Sequence, residues 1–445
     1  MTSNPFSDDT TDPNLRSWVA SANAELCDFP IQNLPFGVFR RLASEGYRGG
    51  IAIGTEIFDL QEGLRLGLFQ GNARDAARAA AGDALNALMA QGALSRRNLR
   101  LAVSGLLREG AARREDVAKC LMPQASAEMA LPARISGFSD FYASFAHAQN
   151  VGRLFRPDNP VLPNFEWLPA GYHGRTSSIR PSGHPVTRPH GQIKRSGSHT
   201  PVFGPCEKLD YEAEMGFLVG AGNELGEPVS VDAAESHLFG MVIYNDWSAR
   251  DIQSWEYQPL GPFLGKSFLS SISPWVVTLE ALAPFRCGLQ RPLGHAEPLP
   301  HLHDKNFKTS GAYSLKLEVR LKTSQMKVDG HPGDIISCSQ MQDMYWSIRQ
   351  ILAHQTSSGC NLQPGDLLGT GTLSGADEET QGCLLERTKG GHSPLVLSTG
   401  ETRDFLRDGD TVIMRAFCES PGAVRIGFGE CVGTVQSRTQ SGLGR

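Results

Sequence analysis

Two patterns of apolar spacing divide the chain. From Phe36 to Leu60 short β-type runs such as FGVF and GGIAIG alternate with glycines, and the pattern predicts short strands with turns at Gly37, Gly49-Gly50 and Gly54. From Asn72 to about Lys119 the chain turns to Ala, Leu, Arg and Glu. Apolar positions there recur at helical spacing, as in Leu85, Leu88 and Met89 or Val103, Leu106 and Leu107. Beyond about residue 133 the pattern changes again to many short β runs between Gly and Pro: YEAEMGFLVG, LFGMVIYN, SPWVVTLE, YSLKLEVRLK, DLLGTGTLSG, DTVIMRAFCE and AVRIGFGECVGTV. Frequent turns between short strands predict a large, mostly antiparallel β domain, barrel-like or sandwich-like. The clearest helices in it are expected at Asp140–Asn150 and Ser339–His354. The organisation read from these patterns is a flexible polar tail over 1–27, a small N-terminal domain over 28–132, and a large β domain over 133–445. The fold class is mainly β with some α.

Composition adjusts this picture in a few places. At 445 residues, 40% hydrophobic and 20% charged, the chain has the make-up of a globular protein with a substantial core. Its formal charge of −5 carries no basic block, so neither nucleic acid nor an anionic membrane is an expected partner. No apolar run is long enough to span a bilayer, and the polar, acidic start MTSNPFSDDTTDPN does not read as a secretory signal. Nine scattered cysteines with no CxxC pair read as reduced thiols of a cytoplasmic protein rather than a disulfide framework or a zinc site.

The candidate chemistry lies in the acids. Glu212 and Glu214 flank Ala213 in a predicted strand, so their side chains share one face while Ala213, Met215 and Phe217 take the other. Two carboxylates on one buried face need a cation or a shared proton. Asp246 ends the apolar run MVIYN, and Asp140 opens DFYASFAH, where it can cap a helix carrying His147 two turns on. Four oxygen donors without a matching Cys or His set favour a hard cation, Mg²⁺ or Ca²⁺, and leave open which.

Long segments then carry a resemblance. DFPIQNLPFGVF (28–39), DFYASFAHAQNVG (140–152), PNFEWLPAGYHGR (163–175), YNDWSARDIQSWEYQPLGPFLGKSF (244–268), HQTSSGCNLQPGDLLGTGTLSG (354–375) and RIGFGEC (425–431) resemble, in order, the fumarylacetoacetase family. The resemblance implies an SH3-like N-terminal β domain with helices, followed by a mixed-β roll or barrel that carries catalysis. It implies hydrolysis of a carbon–carbon bond in a diketo diacid, fumarylacetoacetate, to fumarate and acetoacetate, the last step of tyrosine and phenylalanine catabolism. It also implies a homodimer.

By the same resemblance Asp140, Glu212, Glu214 and Asp246 hold the metal, supported by Lys266 and Ser270. His147 is the base, oriented by Glu386. Arg250, Gln253 and Lys266 stabilise the oxyanion, and Tyr142, Arg156, Gln253, Tyr257 and Thr372 contact substrate. Two places depart from the family pattern: Leu269-Ser270 stands where Gly-Thr is usual, and Phe145-Ala146 where two polar residues are usual. Two other readings stay open at this stage. One is a related metal-dependent lyase, such as a decarboxylase, hydratase or acylpyruvate-cleaving enzyme, and the other a metal-stabilised binding protein without catalysis.

Overall fold

The computed structural model describes residues 8–438. At its centre lie two strands, Ala213–Val219 and Leu238–Asp246, paired antiparallel and buried along their whole length. Their alternation sends Ala213, Met215, Phe217, Met241 and Ile243 into one core cluster and Leu218, Val242 and Tyr244 into another. An antiparallel sheet can leave one face to water; this one is covered on both, which is why its strands read as nearly continuous apolar runs.

The first face packs against the five-stranded sheet that contains Leu315–Lys322, Thr411–Cys418 and Ile426–Gln436. The second packs against the N-terminal domain: Phe36, Val38 and Ile51 of its own five-stranded antiparallel sheet, with Leu99 and Val103 of helix Gly92–Leu107. Around the central pair the sheet extends through Leu367–Gly369 and Phe138–Phe141 on one side and Ser270–Ile272 and Ile179–Pro181 on the other. The expected order of a small N-terminal β domain with helices, then a larger mixed-β domain, is the order observed.

The two domains are joined through buried polar contacts as well as apolar ones. Phe36 and Val276 exchange backbone hydrogen bonds of 3.0 and 2.7 Å. Arg96 donates to both oxygens of Glu280 at 2.9–3.1 Å and to the Leu238 carbonyl at 3.1 Å, with its guanidinium over the Phe239 ring. Arg96 and Glu280 are each about 1% exposed. Within the N-terminal part itself, Arg100, fully buried, donates to the Gln32 and Asn33 carbonyls and to Thr10 Oγ1.

Four local expectations change. The expected flexible tail is, from residue 8 on, a packed segment. Thr10 and Ala22 are buried, and Ser17 donates through Oγ to the Leu107 carbonyl at 2.7 Å; residues 1–7 lie outside the described ones. Gly37 and Gly49 are not turns but strand interior, in Phe36–Arg40 and Arg48–Ile53. A Cβ on Gly37 would stand 2.6 Å from Trp275, and one on Gly49 only 1.7 Å from the Ala80 carbonyl, so these glycines mark close approach of neighbours. Gly54, with φ +57°, does make the turn.

Asp140 caps no helix. It lies in strand Phe138–Phe141, opposite Gly369, and the helix begins later, at Phe145–Phe155, capped by Ser144 Oγ accepting from His147 N. The expected helix Ser339–His354 is likewise strand Asp334–Gln340 followed by helix Ile348–Thr356, which opens on a capping box of Ser347 and Gln350.

Removing one partner of a buried ion pair strands the other's charge and costs about 3–5 kcal/mol. Urea unfolding of Glu280→Ala should show a loss of that size, whereas Asp232→Ala, which breaks the exposed pair with Lys305, should cost under about 1 kcal/mol.

Candidate active site

Strand pairing brings the four acids together. Ala213–Val219 places Glu214 opposite Tyr244, so Glu214 and Asp246 rise from neighbouring strands on one side of the sheet. Asp140 comes from the strand beyond Leu367–Gly369 and reaches across Gly369, where a Cβ would stand 2.3 Å from its Oδ1. One carboxylate oxygen from each of Asp140, Glu212, Glu214 and Asp246 lies within 4.8 Å of the others, and all four residues are buried.

Donors satisfy this group unevenly. Lys266 Nζ donates to Glu212 Oε2 and, at 2.7 Å, to Asp246 Oδ2. Tyr172 donates to the same Asp246 oxygen at 2.5 Å, and Ser270 Oγ stands 3.4 Å from Asp246 Oδ1. Asp140 Oδ1 accepts from Gly371 N at 3.2 Å. Arg250 donates to Glu212 Oε1 at 2.6 Å and to Asp210 Oδ2 at 2.9 Å. Both oxygens of Glu214 are buried with no donor.

With Asp210 included, five buried carboxylates face two cations, Lys266 and Arg250. Burial and the surrounding acids, Asp246 for the first and Asp140 for the second, push the Asp140 and Glu214 carboxyls well above the usual range. Burial opposes ionisation of Glu212 as well, but Lys266, Arg250 and His147 outweigh it and hold its carboxyl low. Such a cluster is complete only with protons or a cation, and its all-oxygen donors fit a hard divalent cation. Lys266 is a charge partner of this group. Its ammonium, kept protonated against burial by Asp246 and Glu212, has no lone pair to offer a metal.

Beside the cluster, His147 Nδ1 lies 2.7 Å from Glu386 Oε2. Glu386 comes from the short helix Leu384–Arg387 and also accepts from Asn150 Nδ2 at 3.0 Å, Ser374 Oγ at 2.8 Å and Cys383 Sγ at 3.2 Å. Burial opposes its charge, yet His147, Asn150 and Ser374 hold its carboxyl below the ordinary value. Asp210 braces the same helix from the far side, accepting from Leu384 N at 2.8 Å and Leu385 N at 2.9 Å while it holds Arg250. One buried carboxylate thereby ties the helix of Glu386 to the arginine on Glu212.

A cavity of about 460 Å³ joins the parts: Asp140, Tyr142, His147, Arg156, Tyr172, Glu212, Arg250, Gln253, Tyr257, Lys266 and Thr372 all line it. Glu214, Asp246, Ser270 and Glu386 lie behind this wall. Arg156 Nε and Thr372 Oγ1 are buried without a protein partner, which leaves them free for a ligand. The sequence reading missed Tyr172, Asp210, Asn150, Ser374 and Cys383. Tyr172 sat inside a family-like segment, GYHGR, but nothing local tied it to Asp246, 74 residues away.

Both departures from the family pattern have a packing account. Leu269 is buried in the main core while Ser270 keeps its hydroxyl at Asp246. Phe145 stacks on Tyr345 and meets Phe165 and the edge of His295, so an aromatic cluster packs the start of the His147 helix. The stretch around 285–305 closes this cluster: Arg291 lies over Tyr345 and Trp346 at 4.4 and 4.3 Å, and His295 Nδ1 is 3.2 Å from the Tyr345 hydroxyl.

Comparison with known proteins agrees along nearly the whole chain. Residues 32–132 match the family model described as fumarylacetoacetase N-terminal, and residues 137–436 match that of the fumarylacetoacetate (FAA) hydrolase C-terminal region. The fumarylacetoacetase of Oryza sativa subsp. japonica is 45% identical over 432 residues, 95% of this chain and 97% of that protein. That of Homo sapiens is 46% identical over 419 residues, 93% of this chain and 97% of that protein. Among solved structures, an HpcE protein from Mycobacterium smegmatis superposes with a TM-score of 0.50 at 18% identity, covering 90% of this chain and 99% of that one, a likeness of fold.

Because Asp140 and Glu214 retain protons to unusually high pH, a divalent cation must expel them to bind. Apparent affinity for Mg²⁺ or Ca²⁺ should therefore rise with pH through their titration range and fall as pH is lowered. Calorimetric titrations in two buffers of different ionisation heat should register the released protons, and Glu214→Gln should weaken binding.

Proposed function

We propose, from the premise that the chain belongs to the fumarylacetoacetase family, that it hydrolyses fumarylacetoacetate to fumarate and acetoacetate, the last step of tyrosine and phenylalanine catabolism. The observation that carries this reading is that the His147–Glu386 pair and the carboxylate cluster meet in one cavity. A decarboxylase needs no such water-activating pair beside its metal site. A hydratase or an acylpyruvate-cleaving enzyme also uses water, and over these the hydrolysis of fumarylacetoacetate is preferred on the 45–46% identity to fumarylacetoacetases along 93–95% of the chain.

Water must attack the carbonyl that becomes the new carboxylate of fumarate, and the electron pair of the broken carbon–carbon bond must leave as the acetoacetate carbanion. His147 has its Nδ1 engaged by Glu386, so Nδ1–H donates to the carboxylate and the Nε2 lone pair is left to accept a proton from water. Glu386 holds the ring in that tautomer and stabilises the imidazolium that forms. Its four donors, His147, Asn150, Ser374 and Cys383, keep it an acceptor. The proton taken by His147 is the natural source for the carbanion, which becomes the methyl group of acetoacetate.

Arg250, Gln253 and Lys266 line the cavity and would donate to the developing oxyanion, and donors of this kind contribute about 3–4 kcal/mol each. Arg156 offers a guanidinium for a substrate carboxylate, with Tyr142, Tyr257 and Thr372 as further polar contacts. Asp140, Glu212, Glu214 and Asp246 would hold a divalent cation, Mg²⁺ or Ca²⁺, with Ser270 supporting Asp246. When bound, such an ion polarises diketone oxygens and spreads the charge of the leaving enolate. The reading includes a cytoplasmic homodimer, as in the family that the chain resembles.

An ultraviolet assay following loss of fumarylacetoacetate, run in parallel with Mg²⁺, Ca²⁺ and chelator, should show turnover that chelator abolishes. His147→Ala should lose about 10²–10⁴-fold in kcat while keeping its divalent-cation affinity. Full activity of that variant would refute His147 as the base. Glu386→Gln should slow turnover with metal binding largely intact.

A further inference from the structure

Cys383 has no part in the hydrolytic reading beyond its contact with Glu386, yet it lies where a metal ligand would. Its Sγ is 3.2 Å from Glu386 Oε2, the oxygen that His147 Nδ1 meets at 2.7 Å. One ligating atom from each of His147, Cys383 and Glu386 falls within 4.8 Å of the others, and all three residues are buried. On a tetrahedral Zn²⁺, with bonds of about 2.3 Å to sulfur and about 2.0–2.2 Å to nitrogen and oxygen, neighbouring ligands stand roughly 3.3–3.7 Å apart. The two contacts to Glu386 Oε2 need to open by only about half an ångström to reach that spacing, and His147 and Cys383 offer ligating atoms within 4.8 Å of each other. Ser374 Oγ, 2.8 Å from the same carboxylate oxygen, or a water can complete the four positions.

This donor set differs in kind from the one beside it. The carboxylate cluster offers oxygen alone and suits Mg²⁺ or Ca²⁺, while imidazole, thiolate and carboxylate together suit Zn²⁺ and its softer relatives. We propose that His147, Cys383 and Glu386 form a second metal site, inhibitory and selective for a thiophilic divalent cation such as Zn²⁺, reached from the cavity that His147 lines.

The inhibition rests on the hydrolytic reading and follows from the imidazole's proton. In the working form Nδ1 carries the hydrogen and Nε2 the lone pair. A cation on Nδ1 takes that nitrogen's lone pair, and the ring hydrogen moves to Nε2, which then has nothing with which to accept a proton from water. The thiol releases its proton to solvent as sulfur bonds the metal, so binding frees one proton and oxidises nothing. Zinc would thus switch off the base without touching the oxygen-lined site.

The test uses the full chain saturated with Mg²⁺, titrated with Zn²⁺, beside Cys383→Ser, which keeps a hydroxyl donor toward Glu386. With each protein normalised to its own activity, half-inhibition of the variant should need on the order of tenfold more Zn²⁺. Co²⁺, used as a spectroscopic probe in place of Zn²⁺, should give a near-ultraviolet thiolate-to-cobalt band in the parent chain and none in the variant. Equal zinc sensitivity of the two proteins would assign inhibition to the carboxylate cluster and overturn the proposal, as would no inhibition of either or no thiolate band. Should the serine variant not fold, Cys383→Ala takes its place under the same criteria. If the chain does not hydrolyse fumarylacetoacetate, the hydrolytic reading fails on that result, while the cobalt band still decides the metal site.

Discussion

Everything in this active site answers to buried negative charge. Four carboxylates within 4.8 Å of one another, with a fifth at Asp210, sit in an interior where an isolated ion is costly to desolvate. Lys266 and Arg250 neutralise part of that charge, and each is pinned between two acids in doing so. The remainder makes the cluster a receptor for a cation. It also explains why Glu214, with two unpartnered oxygens, is the least satisfied of the group. A carboxylate left this way is a poor choice for stability alone and a good one for a ligand position.

The scaffold makes such a charge cluster tolerable. The central sheet is covered on both faces, so the strands that carry the acids are held by two cores rather than one. The N-terminal domain supplies the second cover and is locked to the sheet by the Arg96–Glu280 pair and the Phe36–Val276 backbone bonds. That domain contributes no side chain to the cavity wall. Its part is to keep the sheet dry and rigid behind the site.

A second carboxylate organises the reacting side. Asp210 holds Arg250 with one edge and the amides of Leu384 and Leu385 with its two oxygens, so the helix that carries Glu386 and the arginine on Glu212 share one buried carboxylate. Glu386 and Asp210 are thus fixed by many donors each, while Glu214 has none. The contrast separates acids that position from an acid that waits for a ligand.

How much of this was legible in the sequence differs by scale. The two-domain order, the strand-rich C-terminal part and the acids Glu212 and Glu214 on one side of a strand follow from periodicity, because alternation along a strand is a local property. Long family-like segments contained His147 and several of the cavity residues, while Glu386 was placed only by its distance from the TLSG segment. Local rules failed where a contact far along the chain decided the outcome. Gly37 and Gly49 read as turns because a glycine's own neighbours cannot reveal the Trp275 ring or the Ala80 carbonyl against which it packs. Asp140 read as a helix cap, but pairing with Leu367–Gly369 drew it into a strand and Ser144 took the cap. Tyr172 and Asp210 carried no signal, since their partners lie 74 and 174 residues away. Cys383 is only three residues from Glu386, but His147, which meets the same carboxylate oxygen, is 239 residues from Glu386. The sequence by itself determined which residue types were present and which faces they shared. Only the tertiary structure decided which charges are buried together, because desolvation and charge–charge distance exist only once the chain has folded.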